Sequence, residues 1–427
     1  MVEKNPQTEW NELDAAEREK AAACFFHTVP YVSSGTLRNL KQGLGRLERV
    51  FRSSREQLKP FVRTQKALEG LLSCAGQEKT AWEQYVKLCE KGVHVMMEGD
   101  VDYPDGLKPI FSPPFLLYWK GDSSIFRQPA LGMVGCREAT SYGQKQAEYF
   151  ARTLANAGIV IVSGLARGID AAAHGGALQV PGGKTIAVLG CGIFNIYPPE
   201  NRDLFHQIAK CGLLVSEFPP FAGPNPGHFP QRNRIIAALS QGVMVVEAKK
   251  KSGALITSDY AMEQGKEVYA LPGDVTSPAS EGTHRLIQQG AKLVMEPADI
   301  LEDYRDIIKR DLQQFVPNEQ PETEREDAVP EVLPETVPEE RTGTVPTEKE
   351  MEPETPSAND SVEQNTTSLC REEEMILQAL EKEPRNVDEI LQQVHCAPGL
   401  VLQYILQLEI RGLIESAPGN CYVCSKQ

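Results

Sequence analysis

Between Leu131 and Leu293 one unit recurs about six times: a short apolar strand, a glycine-bearing turn, then a helix. Strands are expected at 131–134, 159–163, 185–189, 213–217, 243–248 and 267–271, with a last short one at 292–295. They are continuous Val/Ile/Leu-rich runs without polar alternation, as strands covered on both faces require. Helices are expected between them at 144–156, 170–179, 202–210, 232–240, 254–264 and 283–289. Strict alternation of this kind predicts an α/β fold: an open, doubly wound, mostly parallel sheet. Ligands of such sheets bind in the crevice beyond the carboxyl ends of the strands, so that edge is where function is expected.

The turns at that edge are rich in glycine and cations. Gly135-Cys136-Arg137 follows the first strand, and Ser163-Gly164-Leu165-Ala166-Arg167-Gly168 follows the second. Backbone N–H groups at a helix start, next to an arginine, form an anion site, and phosphate is the expected anion. In Phe229-Pro230-Gln231-Arg232-Asn233-Arg234 two arginines and an asparagine open a helix whose dipole favours anions, and Lys249-Lys250-Lys251-Ser252-Gly253 does the same after the next strand. So many cations at strand-to-helix junctions suit several phosphates in a row better than one small anion.

Three other motifs fail on context. Gly182-Gly183-Lys184-Thr185 resembles a P-loop, but Leu178 stands where the first glycine is needed and the lysine runs into a strand. Pro181-Gly182-Gly183 is likewise followed by a strand, and no Gly-x-Gly-x-x-Gly follows the first strand. The sheet is thus Rossmann-like without a dinucleotide fingerprint, and no cofactor is expected. Asp170 and His174, four apart on one helix face, read as an ion pair bracing the helix N-terminus rather than as an acid–base pair. Glu247 reads as a hydrogen-bond anchor for the Ser252 turn rather than a catalytic carboxylate. No nucleophile set stands at readable spacing, so an enzyme is not expected. Cys421 and Cys424 form the only C-x-x-C pair, with only His395 and Cys396 as further candidates, so no metal is expected.

Length, at 427 residues, predicts two to four domains, and 41% apolar residues suffice for a sizeable core. No apolar run is long enough to span a bilayer, the first twenty residues are polar and charged, and the ten scattered cysteines read as reduced and buried, which together predict a cytoplasmic protein. Residues 12–95 read as a helical domain of helical-hairpin (SAM-like) type, with helices at 15–26, 37–40, 44–51, 63–72 and one ending near 91. The core is placed at 100–305. Residues 317–364 hold eight prolines, fifteen acids and three bases, the composition of an extended, disordered linker. Three short helices and a two-stranded wing at 369–425 look like a winged helix; nine acids against five bases over 371–427 favour protein docking over DNA reading. The net charge of −15 therefore reflects the linker, because 130–305 holds sixteen residues of each sign.

The blocks Ser163-Gly164-Leu165-Ala166-Arg167-Gly168-Ile169-Asp170, Ala173-His174, Tyr197-Pro198, Phe229 to Ile236, Ser252-Gly253-Ala254-Leu255-Ile256-Thr257, Pro272-Gly273 and Gly282-Thr283-His284-Arg285 resemble, in that order, the DNA-processing protein A family (DprA/Smf). The resemblance covers roughly 170 residues, and the helical and winged-helix flanks are common in that family. It implies an extended Rossmann-like fold that binds single-stranded DNA, forms homodimers, and loads a RecA-type recombinase during natural transformation, without being an enzyme. Carried over by residue, the family's Gly-Ser-Arg phosphate loop falls on Gly135, Cys136 and Arg137, with cysteine in place of serine. Pro199 and Glu200 follow Tyr197-Pro198, where the family often has a lysine; that departure should either weaken DNA binding or shift the phosphate load to Lys184 and Lys249 to Lys251. The expected DNA site is thus Gly135, Cys136, Arg137, Ser163, Gly164, Arg167, Gly168, Lys184, Phe229, Arg232, Asn233, Arg234, Lys249, Ser252 and Gly253. Two alternatives remain: a nucleotide-processing hydrolase on the same sheet, and a regulatory scaffold acting through the winged helix.

Overall fold

The computed structural model describes residues 5–315, 371–380, 385–394, 401, 404–405, 408–409, 413–417 and 421–424. The 317–364 linker lies outside the described residues, as do most of the third winged-helix helix and the 418–420 turn.

The chain begins with five helices: α1 (Ala15–His27), α2 (Ser34–Leu44), α3 (Arg55–Leu58), α4 (Gln65–Leu72) and α5 (Glu78–Glu90). Asp14, Ser33 and Thr64 cap α1, α2 and α4 through side-chain oxygens that accept backbone N–H bonds. Gly45, at φ +78°, ends α2, and the helix expected at 44–51 is a 3-10 turn at Leu47–Arg52.

The sheet follows: β1 (His94–Met97), β2 (Leu116–Gly121), β3 (Ala130–Val134), β4 (Val160–Ser163), β5 (Thr185–Val188), β6 (Leu213–Ser216), β7 (Gly242–Val245), β8 (Glu267–Ala270) and β9 (Lys292–Leu293). The linking helices are α6 (Ser141–Asn156), α7 (Ile169–Leu178), α8 (Arg202–Cys211), α9 (His228–Ala238), α10 (Gly253–Glu263) and α11 (Glu281–Gln288), and α12 (Ala298–Phe315) follows β9. Strand order is β1-β2-β6-β5-β4-β3-β7-β8-β9. Strands β3 to β9 are parallel, whereas β1 and β2 pair antiparallel, with β2 antiparallel to β6. The expected doubly wound sheet is present, extended by an antiparallel pair that strand–helix alternation does not announce.

Alternate residues of the strands serve two cores. Val160, Val162, Val243 and Val245 face α9, α10 and α11 through Ile235, Ile236, Ala261 and Leu286. Leu131, Met133, Ile161 and Met244 face α6 and α7. On that second side Ala187, Leu189 and Leu214 share one hydrophobic cluster with the N-terminal helices, which seats those helices on the sheet. His27, at the end of α1, bonds through Nδ1 to the Tyr118 hydroxyl of β2 at 2.9 Å, fully buried.

Order reverses at β3: β3 to β4 runs one way along the sheet and β7 to β8 the other. The connections after β3 and β7 therefore lead away from each other and leave a crevice.

The C-terminal unit contains α13 (Arg371–Leu380), β10 (Arg385–Asn386), α14 (Val387–Val394), β11 (Ile414–Ala417) and β12 (Cys421–Cys424), with β12 between β10 and β11 as an antiparallel wing. Of the cysteines, Cys24, Cys74, Cys136 and Cys191 are buried as expected. Cys211, the last residue of α8, is exposed, because its helix turns that position to solvent.

Candidate nucleic-acid interface

A cleft of about 550 Å³ opens at the switch point between the loops after β3 and β7. Gly135, Cys136 and Arg137 form one wall; Lys249, Ser252 and Gly253 form the other; Phe229, Arg232 and Asn233 of α9 lie between. Nine of the expected site residues thus meet in one place.

Their roles differ. Arg137 is exposed, with no ion pair among the described residues, and its guanidinium lies 5.2 Å from the centre of the Phe229 ring. Phe229 in turn packs against Tyr197, ring centres 5.4 Å apart. A cation capping an aromatic pair offers both a phosphate contact and a surface for a base. Ser252 caps α10, its Oγ accepting from the Ala254 N–H, and a Cβ on Gly253 would meet nothing, so α10 begins on open space. Asn233 ties α9 to the second wall by donating from Nδ2 to the Gly253 carbonyl at 3.2 Å.

Arg232 is a brace rather than a free cation. It is 3% exposed and donates from Nη1 to the Gly164 carbonyl at 2.8 Å and to the Val188 carbonyl, holding the ends of β4 and β5 together. Burial pulls its guanidinium down to about 10, against the attraction of Asp170, so it stays charged at neutral pH. A Cβ on Gly164 would stand 2.3 Å from that guanidinium, so a glycine is needed for the arginine to pass. Gly168 has φ +74° and a virtual Cβ 2.3 Å from the Cys136 carbonyl; it lets the second loop cross the first. Across that crossing the Ile169 N–H donates to the Cys136 carbonyl at 3.2 Å. The Cys136 N–H is itself engaged by the Glu247 carbonyl at 2.9 Å, so this amide is not available to an anion. Ser163 is buried, its hydroxyl donating to the Met133 carbonyl at 2.6 Å.

Two expected residues lie elsewhere. Arg234 is sealed in a bidentate, buried pair with Glu217, at 2.6 Å on both nitrogens, on another face of α9. Lys184 immediately precedes β5, which puts it at the amino edge of the sheet, opposite the cleft, 3.6 Å from Asp122. A cation that runs into a strand cannot reach the carboxyl edge.

Two further cations near the cleft carry carboxylate partners, whereas Lys251 lines it exposed and with no ion pair among the described residues. Arg167 pairs with Glu200 at 2.7 Å and Lys249 with Glu138 at 3.0 Å, all four side chains exposed. The Glu200 carboxyl sits below its ordinary value, first through its own backbone N–H and then through Arg167; Lys249 holds Glu138 down likewise. Glu200 thus covers Arg167 from the position where a lysine was expected by resemblance.

Neither candidate carboxylate is poised for catalysis. Glu247 is an anchor, but of the α6 cap rather than the Ser252 turn: it accepts from the Thr140 N–H at 2.9 Å and from its hydroxyl, against Gly143. Asp170 accepts from the Gly164 and Ala166 amides at 3.1 and 3.2 Å, and burial raises its carboxyl. It makes no ion pair with His174. The Thr185 hydroxyl donates to the Ile161 carbonyl at 2.6 Å, so His174 must donate to it from Nδ1, at 2.6 Å, as a neutral imidazole. Burial pulls His174 down to about 3.

Comparison with known proteins came to the same region. A family model described as DNA recombination-mediator protein A matches residues 94–305, and one described as the DprA winged helix domain matches 360–420. The chain is 43% identical over 215 residues to DNA processing protein DprA of Bacillus subtilis, covering 50% of this chain and 72% of that protein. It is 47% identical over 202 residues to DprA of Streptococcus pneumoniae, covering 47% and 71%. Protein Smf of Synechocystis is 38% identical over 340 residues, covering 78% and 80%. The X-ray structure of DprA from Streptococcus pneumoniae superposes with a TM-score of 0.58 at 33% identity, covering 66% of this chain and 97% of that one.

Proposed function

Because the chain belongs to the DNA recombination-mediator protein A (DprA/Smf) family, we propose that it binds single-stranded DNA in the switch-point cleft and hands it to a RecA-type recombinase during natural transformation. The observation that carries the reading is Arg137: an exposed guanidinium with no described carboxylate partner, set over the Phe229 ring at the switch-point crevice. Phosphates contact the cations of the cleft, and bases stack on Phe229 and Tyr197, so binding is indifferent to sequence. The protein acts in the cytoplasm, as a homodimer and without catalysis; the family is the support for the recombinase and the dimer. The absence of turnover is supported by Glu247 and Asp170, both occupied in holding backbone amides.

The test is a gel-shift comparison of single- and double-stranded oligonucleotides with wild type and Arg137→Ala. Single strands should bind preferentially, each neutralised phosphate contributing a slope of roughly −0.7 in log K against log salt. Arg137→Ala should weaken binding by about 1–3 kcal/mol, since it removes a charge-assisted hydrogen bond. Unchanged affinity in a folded variant sinks the assignment.

A further inference from the structure

A second cation-capped aromatic pair stands on the same edge of the sheet. Phe194, in the loop after β5, packs on Phe221, in the loop after β6, with ring centres 4.8 Å apart and planes 30° from parallel. The ammonium of Lys91, which follows α5, lies 5.1 Å from the centre of the Phe194 ring and 5.9 Å from that of Phe221. The arrangement repeats the one in the cleft, where Arg137 caps Phe229 and Phe229 packs on Tyr197. One short loop carries a ring of each pair, Phe194 and Tyr197, three residues apart.

Phe194 is half-buried against the cluster that seats the N-terminal helices, but Phe221 is not core. Phe221 is 68% exposed, and a ring of that size left in water gives up much of the benefit of burial. It is nevertheless held firmly. The Gly192 N–H donates to the Ala222 carbonyl at 2.7 Å, the Phe194 N–H to the Pro220 carbonyl at 3.1 Å, and the Asn195 side-chain amide to the Ala222 carbonyl at 3.0 Å. A Cβ on Gly192 would stand 2.2 Å from the Pro219 carbonyl, so the two loops meet backbone to backbone. Lys91 has no carboxylate partner among the described residues, unlike Arg167 and Lys249. Strands β5 and β6 stand two and three places from β3, which at about 4.8 Å per strand is roughly 10–15 Å from the cleft.

We infer that Lys91, Phe194 and Phe221 form a second stacking station for the same single strand, which runs from the switch-point cleft along the loop after β5 to the end of α5. The inference rests on the single-strand reading of the cleft and extends it. Bases stack on the exposed face of Phe221, and Lys91 meets the adjoining phosphate. The N-terminal helices thereby contribute a cation to the nucleic-acid path rather than serving as packing alone.

The experiment uses the full chain and oligothymidylates of about 4 and about 16 nucleotides, which bracket common single-strand site sizes. Phe221→Ala should leave the short oligonucleotide bound as in wild type and weaken the long one on the order of fivefold or more. Phe221→Trp should restore the long-strand affinity, and Lys91→Ala should flatten the salt dependence of the long strand only. With 2-aminopurine placed at successive positions of the long strand, wild type should quench two separated zones, and Phe221→Ala should lose the zone farther from the cleft. If Phe221→Ala binds both lengths as wild type does while Arg137→Ala weakens both, the second station is wrong and the cleft assignment stands. If Phe221→Ala impairs only recombinase delivery, the pair is a protein-docking surface and the inference is likewise overturned. If Arg137→Ala has no effect on the short strand, the cleft reading itself fails and the station falls with it.

Discussion

At the scale of the residue, similar arginines carry different functions because of what surrounds them. Arg137 and Arg167 present their charge to water, whereas Arg232 and Arg234 are buried and fully engaged. Breaking a buried charge pair leaves the partner unpaired in a low-dielectric site, a cost of about 3–5 kcal/mol. Arg234→Ala should therefore lower unfolding stability by about that amount, and Arg232→Ala should lower it on the same order. Arg137→Ala should leave stability unchanged, and urea unfolding of the three variants separates the cases. A loss of DNA affinity by Arg234→Ala without loss of stability would contradict the structural role. The distinction was legible in part. Positions 232 and 234 are two apart, so at 3.6 residues per turn they face opposite sides of α9 and cannot both enter one cleft. Helix α9 begins at His228, four residues before the expected start, with Pro230 in the first turn, where its missing N–H is not needed by the helix. Glu200 offers a second test. It covers Arg167 in an exposed pair, which solvent and salt screen. Glu200→Gln should raise single-strand affinity by a few-fold at low salt, and the gain should shrink as salt rises. Equal affinities in a low-salt titration would mean that the carboxylate does not compete.

At the scale of the element, strands buried on both faces announce themselves as apolar runs, and each of β3 to β8 falls within a residue or so of its expected start. The antiparallel pair β1 and β2 gives no such signal. His94-Val95-Met96-Met97 is short and follows a helix, and Phe115 to Trp119 reads as an apolar lead-in rather than a strand. What ties these elements together makes a pH prediction. His27 joins α1 to β2, and His174 joins α7 to β5; burial pulls them down to about 4 and about 3. Both are neutral in the fold, so their folded values lie below the unfolded value near 6.5. Their contribution is complete above pH 6.5 and is lost as pH falls toward 4 for His27 and toward 3 for His174, because only the unfolded chain takes up the protons. Each group should steepen the loss by about 1.4 kcal/mol per pH unit within its window. Denaturant titrations between about pH 6.5 and pH 5 (a window of about 1.5 units inside both shifts) should show the slope, and His27→Phe should reduce it. A slope unchanged in that variant would show that His27 is protonated in the fold.

At the scale of the whole molecule, charge is distributed against the first impression that a chain of net −15 avoids nucleic acid. The 317–364 segment carries −12 by itself, and 371–427 carries nine acids against five bases. On the proposed reading the cations that meet DNA lie in a region that is neutral overall, so affinity would arise from their convergence at one sheet edge rather than from net charge. Removing 317–427 should accordingly leave single-strand binding intact or slightly stronger. The charge of the acidic segment has the sign of phosphate, so on the proposed reading it would compete for the same cations at close approach. At physiological ionic strength the Debye length is about 8 Å, so only close approaches count and the gain should be modest. At low salt the reach lengthens, and the difference between full-length and truncated protein should grow. The winged helix, net acidic, should add no phosphate contacts of its own, since those depend on lysine and arginine. Its role on this reading is to dock a protein, so truncation should impair recombinase delivery while sparing DNA affinity. Both forms should be titrated with one oligonucleotide at low and moderate salt. A large loss of affinity on truncation would mean that the winged helix contacts DNA despite its charge, and the docking assignment would have to be abandoned.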